Sequence, residues 1–162
     1  MTAQNRIDQY QLQPHPEGGY YTRTYCAEQV FSGDAANDPF PAGRPWSTAI
    51  LYLMEAGDFA AFHRIKSDEI WHFHEGGGVE LYLLRKSGPL DVIRMGPEDQ
   101  QQVTIPAHHW FAAAPIENAG FTLVGCTVCP GFMFQDHEMA IAAELRTQFP
   151  NHAEFIDRYC RS

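Results

Sequence analysis

The stretch FHRIKSDEIWHFHEG, residues 62–76, sets three histidines and two glutamates among apolar residues. Imidazoles and carboxylates at this spacing can do two kinds of chemistry. They can hold a divalent ion, or they can move protons, since an imidazole with an ordinary pKa of about 6.5 exchanges a proton near neutrality while a carboxylate orients it. His63, Glu69 and His72 are the candidate chemical groups. His72 and His74 form a His-x-His of their own, with Glu80 beyond the GGG turn and His108 or His109 as a third imidazole. If the strand runs regularly from Glu69, Trp71 and Phe73 share its face and His72 and His74 take the other, and a bulge would reverse that.

Further candidates surround this stretch. HPEGGYY (15–21) places Glu17 and Tyr20 around paired glycines, whose backbone freedom allows a tight turn. Arg23 and Arg44 are candidate anchors for a carboxylate or phosphate, because guanidinium pairs bidentately with such groups. Ser47, Trp110 and Phe132 complete the candidate substrate contacts, although aromatics such as these more often fill a core.

The rest of the chain limits what these residues serve. At 162 residues, one domain with its own core is the expectation. Eleven Phe, seven Tyr and three Trp argue for dense packing rather than disorder. A net charge of −9 repels phosphate backbones, so nucleic acid is not an expected partner. No apolar run approaches the roughly 18 residues a membrane span needs. The amino terminus lacks the basic start and apolar stretch of a signal peptide, so a cytoplasmic location is expected. Cys26, Cys126, Cys129 and Cys160 are accordingly expected to be reduced. CTVC (126–129) is formally a C-x-x-C, but on a strand residues three apart face opposite ways, which favours buried apolar thiols over a redox or zinc pair.

Nine short strand patterns position the candidates: 19–26, 47–54, 58–65, 69–75, 79–84, 90–95, 101–105, 110–115 and 121–128, punctuated by turn signals such as EAGD, EGGG and GPEDQ. Such spacing reads as an all-β sandwich or barrel. SGDAANDPFPAGRP (32–45) reads as a long loop over the surface or a site mouth. The tail changes period. QDHEMAIAAELRTQF suits a helix capped by Asp136, and NHAEFIDRYC suits a second with an Asn151–Glu154 capping box. TAQNRIDQYQL is a further short helix, and the terminal helices are expected to be struts without chemistry.

The chain resembles the cupin superfamily. Gly57, His63, Glu69 and Gly76 fall in the spacing of its first motif, with Ile65 where a second histidine stands, and Pro106 to Phe111 resemble the second motif with Phe111 in the ligand slot. HPEGGYY, STAILYLM, FHRIKSDEIWHFH, IPAHHWFAA and LVGCTVCPGF are similar to a cupin family of largely unassigned function. The resemblance implies an antiparallel double-stranded β-helix, the RmlC-like jelly-roll barrel, with short terminal helices. It implies one cupin domain over 1–162, barrel about 18–130 and helices about 136–160, a pocket in the barrel mouth and a homodimer. His63 would be the base, Glu69 its orienter, and His72 or a tyrosine the acid, as in cupin-fold sugar epimerases. Only His63 and Glu69 remain as metal ligands in the motif register, so no cofactor is expected, with a divalent metal as the alternative. The expected activity is binding of a small polar metabolite, with epimerase, isomerase or lyase chemistry. A binding module without turnover, or a metal-dependent oxygenase or hydrolase, are the alternatives.

Overall fold

The computed structural model of the chain describes residues 2–33, 40, 42–85, 88–116 and 120–161. All nine expected strands form, most with ends moved by a residue or two, and two short ones join them. In chain order they are β1 (Gln13–Pro14), β2 (Tyr20–Cys26), β3 (Thr48–Glu55), β4 (Ala60–Arg64), β5 (Asp68–Gly76), β6 (Val79–Leu83), β7 (Asp91–Met95), β8 (Gln102–Ile105), β9 (Phe111–Pro115), β10 (Phe121–Cys129) and β11 (Glu138–Met139). Every strand pairing within the sheets is antiparallel. One sheet runs β1-β2-β3-β10-β5-β8 and the other β11-β4-β9-β6-β7, the double-sheet jelly roll expected.

Alternation along the strands divides the apolar residues into three layers. Between the sheets lie Tyr52, Met54, Trp71, Leu81, Phe111, Val124 and Cys126, with others. Outside the six-stranded sheet, Tyr20, Leu53 and Leu123 pack under α1 (Ala3–Tyr10). Outside the five-stranded sheet, Phe62, Tyr82 and Ala112 pack under α2 (Ala142–Gln148) and α3 (Ala153–Tyr159), which supply Leu145, Ile156 and Tyr159. The helices therefore serve as covers for outward apolar faces. The strand VELYLL (79–84) is buried within the single chain apart from Glu80.

The tail departs from expectation. Asp136 does not cap a helix: it closes a 3₁₀ turn, is buried, and pairs with Arg44. Residues 138–139 then join the sheet edge beside β4, and α2 begins only at Ala142. The Asn151–Glu154 box is also replaced, by a 3₁₀ turn at Pro150–His152, and α3 starts without a side-chain cap. A glycine-free segment with one face needed by β4 gains more from strand pairing and the buried ion pair than from helical propensity. Of the loop expected at 32–45, residues 34–39 and 41 lie outside the described residues, and beside them Phe31 N donates to Arg44 O at 2.8 Å. Cys126 is buried and Cys129 exposed, so CTVC forms no pair, and all four cysteines are free. Among the described residues, no helix is long and apolar enough to cross a membrane.

If the helices hold the barrel by burial, truncating one contact should be costly and a neighbouring exposed one should not. Ile156, fully buried, should cost about 2–5 kcal/mol as Ile156→Ala in urea unfolding, whereas Ile141→Ala, 61% exposed, should stay within about 0.5 kcal/mol.

Candidate active site

A narrow pocket opens between the sheets, with about 490 Å³ free of atoms including its mouth. Its floor is built around one carboxylate. Glu17 is buried, and its Oε2 lies 3.1 Å from His63 Nε2, 3.1 Å from His137 Nε2 and 3.6 Å from His15 Nδ1.

Each group is delivered by a different device. Gly18 and Gly19 have φ of +120° and +65°, and a Cβ on Gly18 would meet Phe59 O at 2.1 Å, so the turn holding Glu17 requires glycine there. Tyr52 OH donates to Gly18 O, Ala61 N to Glu17 O, and Arg161 Nε also to Glu17 O. In β4, Ala60 packs between the sheets and Phe62 packs outside, although two residues apart they should share a face. The ladder to β9 is irregular between Ala60 and His63, and that irregularity turns His63 inward. His137 arrives on the strap after β10. Arg44 donates to Gly131 O and pairs with Asp136, and Phe132 N donates to Thr48 Oγ1, which holds the strap across the pocket.

Burial alone would raise the Glu17 pKa, but the positive charge available on His63, His137 and His15 holds it down at about 2. Glu69, which lines the same pocket from β5, goes the other way. Burial, and then the charge of Glu17, push it up to about 8, so it carries its proton at neutral pH. Burial is also the foremost cause lowering His63, with Glu17 opposing it. His63 Nδ1 lies 2.7 Å from Ala61 O, which can only accept, so the proton of the neutral ring is assigned to Nδ1. The Nε2 lone pair then faces the Glu17 carboxylate with no proton between them. Uptake of one proton at Nε2 relieves that contact and supplies the imidazolium charge that lowers Glu17, so the two groups titrate as one unit.

The candidates named from sequence separate into two groups. Glu17, Arg23, His63, Glu69 and Phe132 line this pocket. His72 does not reach it. The irregularity in β5 comes after it, at the Phe73–Glu75 step, so His72 stays on the outer face, bonded to Thr127 Oγ1 and Gln102. Tyr20 packs outward under α1, while Tyr21 lines the pocket. Ser47 donates to Val128 O, and Trp110 lies outside the five-stranded sheet with the Arg64 guanidinium 4.5 Å over its ring. Arg44 is buried on Asp136 and anchors the strap rather than a ligand. Two functional residues went unnamed. His15 stands two positions before Glu17, and the HPEGG turn was a sufficient signal for it. His137 falls in the segment taken for a helix start, and no local pattern marks it.

In the metal slots of the cupin pattern, Ile65 and Phe111 offer no donor atom, which leaves only His63 and Glu69 of that set. The alternative His72–His74 set is not assembled: Glu80 accepts from Tyr82, and His108 and His109 are exposed elsewhere. A different group does fit in spacing. The ligand atoms of Glu17, His63 and His137 lie within 4.8 Å of one another, a two-histidine, one-carboxylate set.

The raised pKa of Glu69 has a measurable consequence. Between about 4.5, where an unperturbed glutamate titrates, and about 8, the folded chain holds a proton that the unfolded chain has lost. The stability this carboxyl contributes is whole below about pH 4.5 and is lost as pH rises through about 8. At about 1.4 kcal/mol per pH unit, that is a few kcal/mol. Glu69→Gln should therefore lose less stability than the parent between pH 5 and 8.5 in urea titrations, and parallel profiles would show that Glu69 is already ionised at pH 5.

Comparisons agree with this architecture. A solved structure of protein SO0799 from Shewanella oneidensis is 31% identical, covers 99% of this chain and 98% of its own, and superposes with a TM-score of 0.86. A hypothetical protein from Leishmania major is 27% identical over the full length of both chains, with a TM-score of 0.90. The uncharacterized protein YML079W of Saccharomyces cerevisiae is 27% identical over 150 residues, 84% of this chain and 74% of its own. The sequence pattern of Cupin_5, described as Cupin superfamily (DUF985), matches residues 4–140, and the chain belongs to that family.

Proposed function

We propose that the protein is an acid–base enzyme acting on a small polar metabolite, an isomerase, epimerase or lyase of the proton-shifting kind. One observation carries this: a single narrow pocket is lined by two buried carboxyl groups in contrasting surroundings, Glu17 within 3.6 Å of three imidazoles and Glu69 with no cation in ion-pair reach among the described residues, which favours Glu17 ionised and Glu69 protonated. Environments that push two titratable groups apart are what acid–base chemistry at neutral pH requires. The Glu17–His63 pair takes a proton from a carbon of the bound molecule, and the C–H electrons pass into an adjacent carbonyl. Glu69 delivers its proton to the opposite face of the same carbon, to a neighbouring carbon, or to a departing oxygen. These are the epimerase, isomerase and lyase outcomes respectively. His137 keeps Glu17 ionised, and the apolar wall of Ile50, Ile65, Val128 and Phe132 keeps water from competing.

The spacing of Glu17, His63 and His137 favours one further reading, a divalent ion held by these three side chains. Such an ion would supply Lewis-acid polarisation of a substrate oxygen.

The test is proton exchange with solvent. Chelator-treated protein in D₂O, given 2-hydroxy acids, 2-keto acids or short aldoses, should wash deuterium into one carbon-bound position, followed by proton NMR. Glu17→Gln and Glu69→Gln should each slow that exchange by about 10²-fold or more. Exchange that returns only with added divalent ion would favour the metal, and binding without exchange or turnover on any compound would leave a binding module.

A further inference from the structure

The pocket contains donors that the acid–base pair does not use. Tyr21 and Arg23 stand two apart on β2, opposite Tyr52 and Ile50 of β3, and both face the lumen. Arg23 is the one lysine or arginine among the lining residues. Among the described residues no carboxylate lies within ion-pair reach of it, and the Tyr21 hydroxyl has no hydrogen-bond partner. The contrast with other arginines is informative. Arg6, Arg44, Arg64, Arg85, Arg94, Arg146 and Arg161 are ion-paired within the chain, and Arg158, which has no carboxylate in reach, lies over the Tyr159 ring away from this pocket. With twenty acidic residues in the sequence, an arginine left without one at a pocket is available for an outside anion. Thr48 adds a further donor. Its Oγ1 accepts from Phe132 N at 2.9 Å and keeps its own proton, and the side chain lines the same pocket.

We propose that the pocket takes a short-chain carboxylic acid, its carboxylate gripped by Arg23 with Tyr21 beside it and its neighbouring carbon directed inward, between Glu17 and Glu69. The direction inward rests on the acid–base chemistry proposed above, whereas the grip itself does not. A planar monoanion matches a single guanidinium bidentately. A phosphate dianion would find a single guanidinium there and would face the charge of Glu17 more strongly than a monoanion does. The pocket, about 490 Å³ with its mouth included, suits a short-chain guest.

Calorimetric titration with glycolate, lactate, glycerate and malate, against lactamide and inorganic phosphate, tests the assignment. At least one carboxylate should bind, and lactamide should bind at least tenfold more weakly than lactate, as expected for loss of a charge-assisted hydrogen bond. Arg23→Gln should weaken the carboxylate by tenfold or more and abolish its preference over the amide. Arg23→Lys should keep the preference with reduced affinity, and Tyr21→Phe should lose several-fold. Arg23 is exposed, so these variants should keep the parent unfolding profile. Equal affinity for lactate and lactamide, no effect of Arg23→Gln, binding of none of the four acids, or tighter binding of phosphate would each overturn the carboxylate grip. A charge-dependent affinity without proton exchange would sink the acid–base chemistry alone.

Discussion

The site is organised by a carboxylate that has been taken out of water without a lysine or arginine to neutralise it. Glu17 is buried, and its side chain meets only imidazoles within ion-pair distance. Burying a charge is expensive unless partners and hydrogen bonds replace its hydration. An imidazole is an unusual partner because its own charge is negotiable near neutrality. The cluster therefore stays ionised at Glu17 while leaving the surrounding protons movable, which a guanidinium would forbid.

That arrangement draws on the whole chain. Glu17 comes from the first turn, His63 from an irregular strand in the middle, and His137 from the strap after the last long strand. The turn is fixed near the carboxyl terminus, where Arg161 donates to the carbonyls of Glu17 and Phe59. The strap is fixed by Arg44, whose buried guanidinium reaches both Gly131 and Asp136, the neighbour of His137. A buried ion pair is weak evidence for stability. Here it has a geometric consequence, since it sets where the following imidazole lies.

The strands were legible because their cue is local. Alternation and turn residues sit within a few positions, and all nine expected strands are present. Glu69 and Glu17 were legible from local patterns, one from the spacing of the first cupin motif and the other from a glycine turn. The orientation of His63 was not. It depends on an irregularity that strand parity alone does not encode, though the motif register placed it inside. His137 was less legible still. Its segment has the composition of a helix start, and only the distant partners Arg44 and β4 make it a strap. For His72 strand parity gives the face opposite Glu69 unless a bulge intervenes, and the irregularity of β5 comes only after Phe73, so the two stay on opposite faces.

The apolar residues in the ligand slots explain the chemistry as much as the ionisable ones do. Phe111 packs with its ring centroid 4.2 Å from that of His63, and Ile65 lines the pocket beside Glu69. Replacing two potential ligands by hydrocarbon removes donor atoms from the usual cupin position and also lowers the local dielectric. In that medium burial and then the nearby charge of Glu17 both disfavour ionisation of Glu69. The two apolar side chains that leave the usual metal position short of donors thus also favour a protonated Glu69 in the same pocket as an ionised Glu17.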